Sequence, residues 1–297
     1  MRAPRNVGRF RGDPARERFA AVYTAAMTGL PEHETVDVAT SFGTLRAYRF
    51  DGPAGRTPVV LLPGRNASTP MWRANIPSLT KRRPIVSVDL LGEAGMSVQD
   101  RPIGCAEDEA RWLDDALAGL GLERVHLLGV SIGGWTAMNC AIHMPSRIAS
   151  VTLLDPVLTF APVPARAVLA SLLLFPAGVP AALRRRVLSW ICGGADADDT
   201  VAEAALISAA GKEFVVAKAV PTLFSDEQLQ ALGLPVLALI AGRSVMLDPS
   251  VAAARARRHL PHAQVEVWPD ASHAINGEYA EEIAQRAHRF WDDVDDT

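Results

Sequence analysis

Short apolar runs, separated by glycine- or proline-containing loops and by helical patterns, dominate the chain after residue 52. The runs are PVVLL (58–62), PIVSVDL (84–90), RVHLLGV (124–130), SVTLLD (150–155), PVLALIA (235–241) and QVEVW (264–268). Continuous apolar strands that alternate with helices are typical of a parallel sheet covered by helices on both faces. The pattern therefore predicts an α/β protein in which these six strands are parallel.

The chain before residue 52 shows two other patterns. Apolar residues lie at helical spacing in PARERFAAVYTAAMTGL, with Pro14 suited to the first turn and Gly29 to the end of a helix. The segments ETVDVAT and TLRAYRF alternate apolar and polar positions on either side of Phe42 and Gly43, which predicts an antiparallel hairpin. The hairpin brings the expected sheet to eight strands, most of them parallel.

A long stretch between two of the apolar runs has no strand pattern. It is rich in Ala, Leu, Arg and Pro, and three or four short helices there predict a lid over the carboxyl edge of the sheet. We assign residues 156–224 to this helical cap, and residues 14–155 and 225–297 to the core. Residues 1–13 carry four Arg and little that could pack, so we expect a flexible leader there.

Composition narrows the class of protein. The chain has 297 residues, of which 49% are apolar and 21% charged, and this suffices for one large core. Its net charge of -3 offers no field that would recruit nucleic acid or an anionic membrane. Cys105, Cys140 and Cys192 are too few and too widely spaced for a disulfide scaffold or a zinc site, and they suit a reducing compartment. We expect a cytoplasmic protein that binds no nucleic acid, as a monomer or a homodimer.

The sequence shows no cofactor-binding motif and no segment typical of a membrane span. The chain contains no phosphate-binding G-x-x-x-x-G-K-[ST] motif, no paired cysteine motif and no H-E-x-x-H motif. The N-terminus lacks the apolar stretch of a secretory signal, and no window reaches 18 uncharged apolar residues. We therefore expect no metal, no other cofactor and no membrane span.

The strongest chemical signal is Gly129-Val130-Ser131-Ile132-Gly133, which joins the strand RVHLLGV to the helical run WTAMNCAIHM. A serine on such a tight turn takes a strained backbone conformation, and a Cβ two residues before or after it would collide with the turn. This geometry raises the hydroxyl above the sheet and directs the first N–H groups of the helix toward a developing oxyanion. Ser131 is therefore the predicted nucleophile. The alternative is a glycine-rich turn with an incidental serine.

A serine of ordinary pKa needs a base, and the best candidate is His273 in WPDASHAIN, after the last predicted strand. The other histidines fit packing or surface roles. They are His33, His126, His143, His259, His262 and His288.

Five segments together resemble the α/β-hydrolase superfamily, over about residues 34–291. They are LLPGRNASTPMW (61–72), DLLGEAGMS (89–97), GVSIGGW (129–135), PVLALIAGRSVMLDP (235–249) and DASHAIN (270–276). The second and third of them, with ERF near the start, are similar to the bacterial carboxylesterase-like branch. The resemblance implies an eight-stranded sheet with a helical cap and a Ser-His-acid triad. It also implies that the N–H groups of Arg65 and Ile132 hold the oxyanion, although the usual His-Gly before the first donor is here Pro63-Gly64.

The acid of the triad is the main departure from this family. Its usual position, three residues after Gly242, is occupied by Val245, and two aspartates are possible replacements. Asp248 precedes Pro249 and a helical run, so a role as helix N-cap explains it without catalysis. Asp155 follows the strand after the one that leads to Ser131, at the edge where catalytic groups gather in open α/β sheets. We predict that Asp155 is the acid and keep Asp248 as the alternative.

The expected function is that of a serine hydrolase that cleaves small carboxylic esters through an acyl-enzyme. The apolar cap favours a substrate with a hydrophobic acyl or alcohol group. Two alternatives remain. A biosynthetic relative could act on a thioester, a lactone or a carbon–carbon bond. A ligand receptor that turns over slowly could keep the same fold, since Val245 stands in the usual position of the acid.

Overall fold

A computed structural model of the chain describes residues 6–173, 179–194 and 202–297. Within these ranges the strands are β1 Arg9–Phe10, β2 Glu34–Thr40, β3 Gly43–Phe50, β4 Val59–Leu62, β5 Ile85–Val88, β6 Val98–Gln99, β7 Val125–Val130, β8 Ile148–Leu154, β9 Phe214–Val215, β10 Val236–Ala241 and β11 Ala263–Trp268. The helices are α1 Asp13–Met27, α2 Ile76–Leu79, α3 Ala106–Gly119, α4 Ile132–His143, α5 Ala165–Leu172, α6 Ala181–Ile191, α7 Ala202–Glu213, α8 Asp226–Gln230, α9 Pro249–His259, α10 Ile275–Glu278 and α11 Ala280–Asp295. Two 3-10 turns cover Thr69–Trp72 and Pro145–Arg147.

The main sheet has the order β11-β10-β8-β7-β4-β5-β3-β2, and β6 adds two residues beside β3. All neighbours from β11 to β5 pair in parallel, whereas β3 is antiparallel to both β5 and β2. The prediction of a mostly parallel eight-stranded sheet is therefore confirmed. In the main sheet, the sequence analysis did not predict the short β6, because a strand of two residues has no periodic pattern.

Helices cover both faces of this sheet, so its central strands read as continuous apolar runs. Every residue of β4, β5, β7, β8 and β10 is buried. Side chains alternate between two cores: Val60 and Leu127 face the core that includes α3, α4 and α9, while Val59 and Leu128 face the core that includes α1, α2 and α11. The edge strand β11 is half-exposed. The sheet thus holds the loops after its strands at one edge.

The expectation of a flexible leader over residues 1–13 is wrong for its described part. The strand β1 pairs antiparallel with β9 in a small second sheet, and the Gly8 N–H donates to Oε1 of Gln99 at 2.7 Å. The Phe10 ring lies with its centroid 5.0 Å from that of Phe214, in an edge-to-face arrangement. These contacts escaped the sequence analysis because each strand has only two residues, and about 200 residues separate them. Residues 1–5 lie outside the described part of the chain.

The segment between β8 and β10 carries α5, α6, α7 and α8, as its helical patterns predict. We refer to residues 156–224 as the cap segment. Its α7 packs against α1 and against the 3-10 turn that follows β4. The Thr222 carbonyl accepts a hydrogen bond from Nε1 of Trp135 in α4 at 2.8 Å, and the Gly193 carbonyl accepts one from Arg243 after β10 at 3.0 Å. The cap segment therefore contacts the loops at the carboxyl edge of the sheet. None of the described helices combines the length and hydropathy that crossing a bilayer requires.

Candidate active site

Ser131 occupies the sharp turn between β7 and α4, with φ 54° and ψ −119°. Its N–H donates to the Leu154 carbonyl of the neighbouring strand β8 at 3.0 Å, which fixes the turn on the sheet. A Cβ on Gly129 would lie 2.3 Å from the Gly133 oxygen, and a Cβ on Gly133 would lie 2.0 Å from the Leu62 oxygen. Glycine at both positions is thus a steric requirement of the turn that presents the Ser131 hydroxyl.

His273 lies beside this hydroxyl, in the loop between β11 and α10. Its Nε2 is 2.9 Å from Oγ of Ser131. Its Nδ1 is 2.6 Å from Oδ2 of Asp155, whose carboxylate accepts but cannot donate a hydrogen bond when ionised. These partners assign the proton to Nδ1 and leave Nε2 free to accept the proton of Ser131. The His273 side chain is 10% exposed, so the site remains in reach of small molecules.

Asp155 follows β8 directly and is completely buried. Besides His273, its Oδ2 accepts a hydrogen bond from the Ser244 hydroxyl at 2.6 Å, and its Oδ1 accepts one from the Ala241 N–H at 3.1 Å. Asp155 has a φ of 42°, a strained conformation that its N–H bond to the Leu239 carbonyl at 2.8 Å helps to hold. The residue is thus immobilised with its carboxylate against the histidine ring.

The structure does not bring Asp248 to His273. Its Oδ1 accepts hydrogen bonds from the N–H groups of Ser250 and Val251, at 3.0 and 3.2 Å, and from the Ser250 hydroxyl at 2.6 Å. These bonds, the one from the Ser250 side chain first, hold the pKa of the Asp248 carboxyl below its ordinary value. Asp248 is therefore the N-cap of α9, which is the structural role that its position before Pro249 suggests.

The two residues expected to supply the oxyanion donors adjoin Ser131 in different ways: Ile132 follows it in the chain, and Arg65 follows Gly64, which lies close to it in the fold. Ile132 is the first residue of α4, so its N–H has no carbonyl one turn earlier to bind. Arg65 follows Gly64, and a Cβ on that glycine would lie 3.7 Å from the Cβ of Ser131. The Gly64 N–H itself contacts Sδ of Met71 at 3.0 Å. The loop after β4 therefore passes directly beside the serine.

Two contributors to the site were missed in the sequence. Ser244 donates its hydroxyl to the Asp155 carboxylate. The signal in the sequence was its position, since Ser244 is a polar residue directly before Val245, which occupies the usual position of the acid. Glu278 of α10 holds the histidine loop: its Oε2 accepts from the N–H of buried Ser272 at 2.8 Å, and its Oε1 accepts from the Ser272 hydroxyl at 2.6 Å. The sequence carried no signal for this contact.

The remaining histidines lie away from the site, as expected. His126 is in β7 and is fully buried; its Nδ1 is 2.8 Å from Oγ of Ser150, and its Nε2 is 3.3 Å from Oδ1 of Asp295. His288 is buried in α11. No group of three or more His, Cys, Asp or Glu side chains within the described ranges is arranged to hold a metal ion.

The family model of the alpha/beta hydrolase family matches residues 59–286. The chain belongs to this family, as the sheet order and the serine turn also indicate.

Two relatives from Bacillus subtilis extend the similarity to almost the whole chain. An uncharacterized carboxylesterase, nap, is 29% identical over 92% of each chain, and carboxylesterase YbfK is 26% identical over 92% of this chain and 93% of its own. The crystal structure of naproxen esterase (carboxylesterase NP) from Bacillus subtilis covers 95% of this chain and 99% of its own, with a TM-score of 0.85 and 26% identity. The expected similarity to the carboxylesterase-like branch is confirmed.

Proposed function

We propose that this protein is a serine hydrolase that cleaves carboxylic esters through an acyl-enzyme. The observation that carries the proposal is the continuous hydrogen-bonded series from Oγ of Ser131 through His273 to Asp155, with distances of 2.9 and 2.6 Å. A nucleophile, a base and a group that orients the base are the parts this chemistry requires. The names of the two Bacillus relatives support esters as the substrates.

Acylation begins with proton transfer from Oγ of Ser131 to Nε2 of His273. The oxygen attacks the acyl carbonyl of the ester, and the negative charge on the carbonyl oxygen is stabilised by the N–H groups of Arg65 and Ile132. The protonated His273 then donates its proton to the oxygen of the leaving alcohol. The bond between the acyl carbon and this oxygen breaks, which leaves the acyl group on Ser131.

Deacylation repeats these steps with water as the nucleophile. Water transfers a proton to Nε2 of His273 and attacks the acyl carbon; the same two N–H groups hold the second oxyanion. His273 returns the proton to Oγ of Ser131 as the carboxylic acid is released. In both half-reactions Asp155 keeps the ring in the productive tautomer and stabilises the imidazolium, without accepting the proton itself.

Asp155 also bears on the receptor alternative. That alternative rested on the apolar Val245 in the usual position of the acid. The buried carboxylate of Asp155, directly after β8, contacts His273, which supports Asp155 as the acid in place of Val245. This geometry supports a working catalyst in preference to a slow receptor.

The cap segment and the cysteines support two finer expectations. The cap segment is rich in Ala and Leu, and this apolar composition favours a hydrophobic small-molecule ester as the substrate. Cys105, Cys140 and Cys192 are all free thiols, in keeping with the cytoplasm as the proposed location.

The experiment compares the wild type with Ser131→Ala on p-nitrophenyl esters of graded acyl length and on a fluorophosphonate probe. The wild type should hydrolyse the esters and become labelled, and Ser131→Ala should lose labelling and at least about 10³-fold in kcat. Ser250→Ala, at the first turn of α9, is the matched control and should keep both activities. Labelling of Ser131→Ala, or a wild type inactive on every ester, would contradict the proposal.

A further inference from the structure

Four charged side chains, three of them buried, form a group at the loop that carries Arg65. Nζ of Lys218 lies 3.1 Å from Oε1 of Glu109 and 3.3 Å from Oε1 of Glu93. Nη1 of Arg65 lies 3.5 Å from the same Glu93 oxygen. The side chains of Lys218, Glu93 and Glu109 are at most 3% exposed, whereas that of Arg65 is 32% exposed. We call these four residues the buried charge cluster.

The cluster is electrically balanced, with two cations and two carboxylates. Burial alone raises the pKa of Glu93, but the charges of Arg65 and Lys218 outweigh it and hold the pKa below its ordinary value. Burial lowers the pKa of Lys218, but Glu109 and Glu93 outweigh it and raise the pKa. Glu93 and Lys218 are therefore charged at neutral pH, and loss of either partner leaves an uncompensated charge away from water.

Each member comes from a different element of the fold. Arg65 follows β4, Glu93 lies between β5 and β6, and Glu109 belongs to α3, where its Oε2 accepts from Nε1 of Trp112 at 2.7 Å. Lys218 belongs to the cap segment, and the N–H of the next residue bonds to the Ile103 carbonyl at 2.9 Å. The cluster thus joins the cap segment to the loop after β4.

That loop needs such anchors, because its backbone is strained beside the serine. Asn66 and Ser68 have φ values of 61° and 54°, which are costly for residues with a side chain. The neighbouring loop after β5 holds one end of the strained stretch: the Ser68 hydroxyl donates to the Ala94 carbonyl, and the Thr69 N–H donates to Oδ1 of Asp89 at 2.9 Å. At the other end of the strained stretch, the contact of the Arg65 side chain with Glu93 holds the backbone in place.

We infer that Glu93 is a positioning residue for ester hydrolysis: it holds Arg65 so that the Arg65 N–H faces the oxyanion, while Lys218 contacts the same carboxylate oxygen and helps to keep it ionised. The inference rests on the proposed function. Glu93 touches neither the serine nor the histidine in any contact that the structure shows for it. It acts on the loop after β4 through the Arg65 side chain and through the backbone N–H of Asn66, the next residue. A displaced oxyanion donor weakens binding of the transition state more than binding of the ester, so the effect should fall on kcat.

The test compares Glu93→Gln, Arg65→Met and the double variant with Glu109→Gln as the matched control. Glu109→Gln removes a carboxylate from the same Lys218 without a contact to Arg65. Each is assayed on a p-nitrophenyl ester, for binding of a trifluoromethyl ketone that forms a tetrahedral adduct with serine, and for thermal unfolding. Glu93→Gln should lower kcat and affinity for the ketone about tenfold to a hundredfold at nearly constant KM. Glu109→Gln should lower the melting temperature yet keep kcat within about twofold.

The other variants separate this role from its rivals. Arg65→Met should resemble Glu93→Gln, the double variant should be no worse than either, and Arg65→Lys should recover part of kcat, since a cation is restored. Arg65→Met also carries the test if Glu93→Gln does not fold. Unchanged kcat and ketone affinity in folded Glu93→Gln and Arg65→Met would overturn the inference. So would an equal loss of kcat in Glu109→Gln, or a rise in KM confined to anionic esters in Arg65→Met. A wild type inactive on esters would instead refute the proposed function.

Discussion

Oδ2 of Asp155 lies 2.6 Å from Nδ1 of His273, although 118 residues separate them in the chain. The two strands involved explain how the carboxylate can come from the end of β8 when the family's usual position lies after β10. β8 and β10 are parallel neighbours, with Leu154 paired to Leu239, so their ends are only one strand spacing apart. The turn after β10 still contributes, because Ser244 donates its hydroxyl to the displaced carboxylate.

Replacement of the two candidate aspartates should separate their roles. We expect Asp155→Asn to lower kcat by about 10⁴, because an amide no longer holds His273 in the productive tautomer. Asp248→Ala should retain kcat and lower the free energy of unfolding by about 1 kcal/mol, since it removes only the N-cap of α9. Steady-state kinetics on a p-nitrophenyl ester and thermal unfolding measure both. Retained activity in Asp155→Asn with lost activity in Asp248→Ala would reverse the assignment.

The contact between Glu278 and Ser272 should set the position of the neighbouring His273. Removal of both acceptors in Glu278→Ala should lower kcat by up to about 10²-fold, because small displacements of a base have effects of this size. Glu282→Ala, an exposed glutamate at the start of α11, is the control and should behave as the wild type. Equal activity of the two variants would show that the loop holds its shape without Glu278.

The packing of Phe10 predicts that the first described residues stabilise the fold. Phe10→Ala removes the ring contacts with Phe214 and Phe19, and for a half-buried ring we expect a loss of about 2 kcal/mol, or roughly 3 °C in melting temperature for a chain of this length. Glu17→Ala, exposed on α1, serves as the control. An unchanged melting temperature in Phe10→Ala would show that β1 contributes nothing to stability.

The buried His126 predicts that the protein loses stability on mild acidification. Burial first of all, with help from the charge of Arg83, lowers its pKa from 6.5 to about 4, so the folded state keeps the ring neutral where the unfolded state takes up a proton. The unfolded state therefore binds more protons than the folded state between these two pH values. The free energy of unfolding falls as the pH is lowered through this window, by roughly 3 kcal/mol at most from this residue. His126→Gln should flatten the dependence of the melting temperature on pH between about 6.5 and 4. An unaltered slope would assign the acid sensitivity to other groups.

Features with a short-range physical cause were predictable from the sequence. The clash that excludes a Cβ at Gly129 and Gly133 arises within the turn itself and beside the adjoining strand, so the serine motif is visible in five consecutive residues. The buried strands are visible for a similar reason, since a strand covered on both faces leaves a continuous apolar run. His273 and Asp155 could be proposed because each follows such a strand.

Features that depend on which distant segments meet were decided by the tertiary structure alone. Two-residue strands such as β1 and β9 have no period to detect, and their pairing rests on a contact about 200 residues apart in the chain. Lys218 and Glu93 look like ordinary surface charges in the sequence, because a charged residue reveals its burial only through its partners. The sequence favoured Asp155 over Asp248 but left both possible, and only the packing of β8 beside β10 brings the Asp155 carboxylate to the histidine.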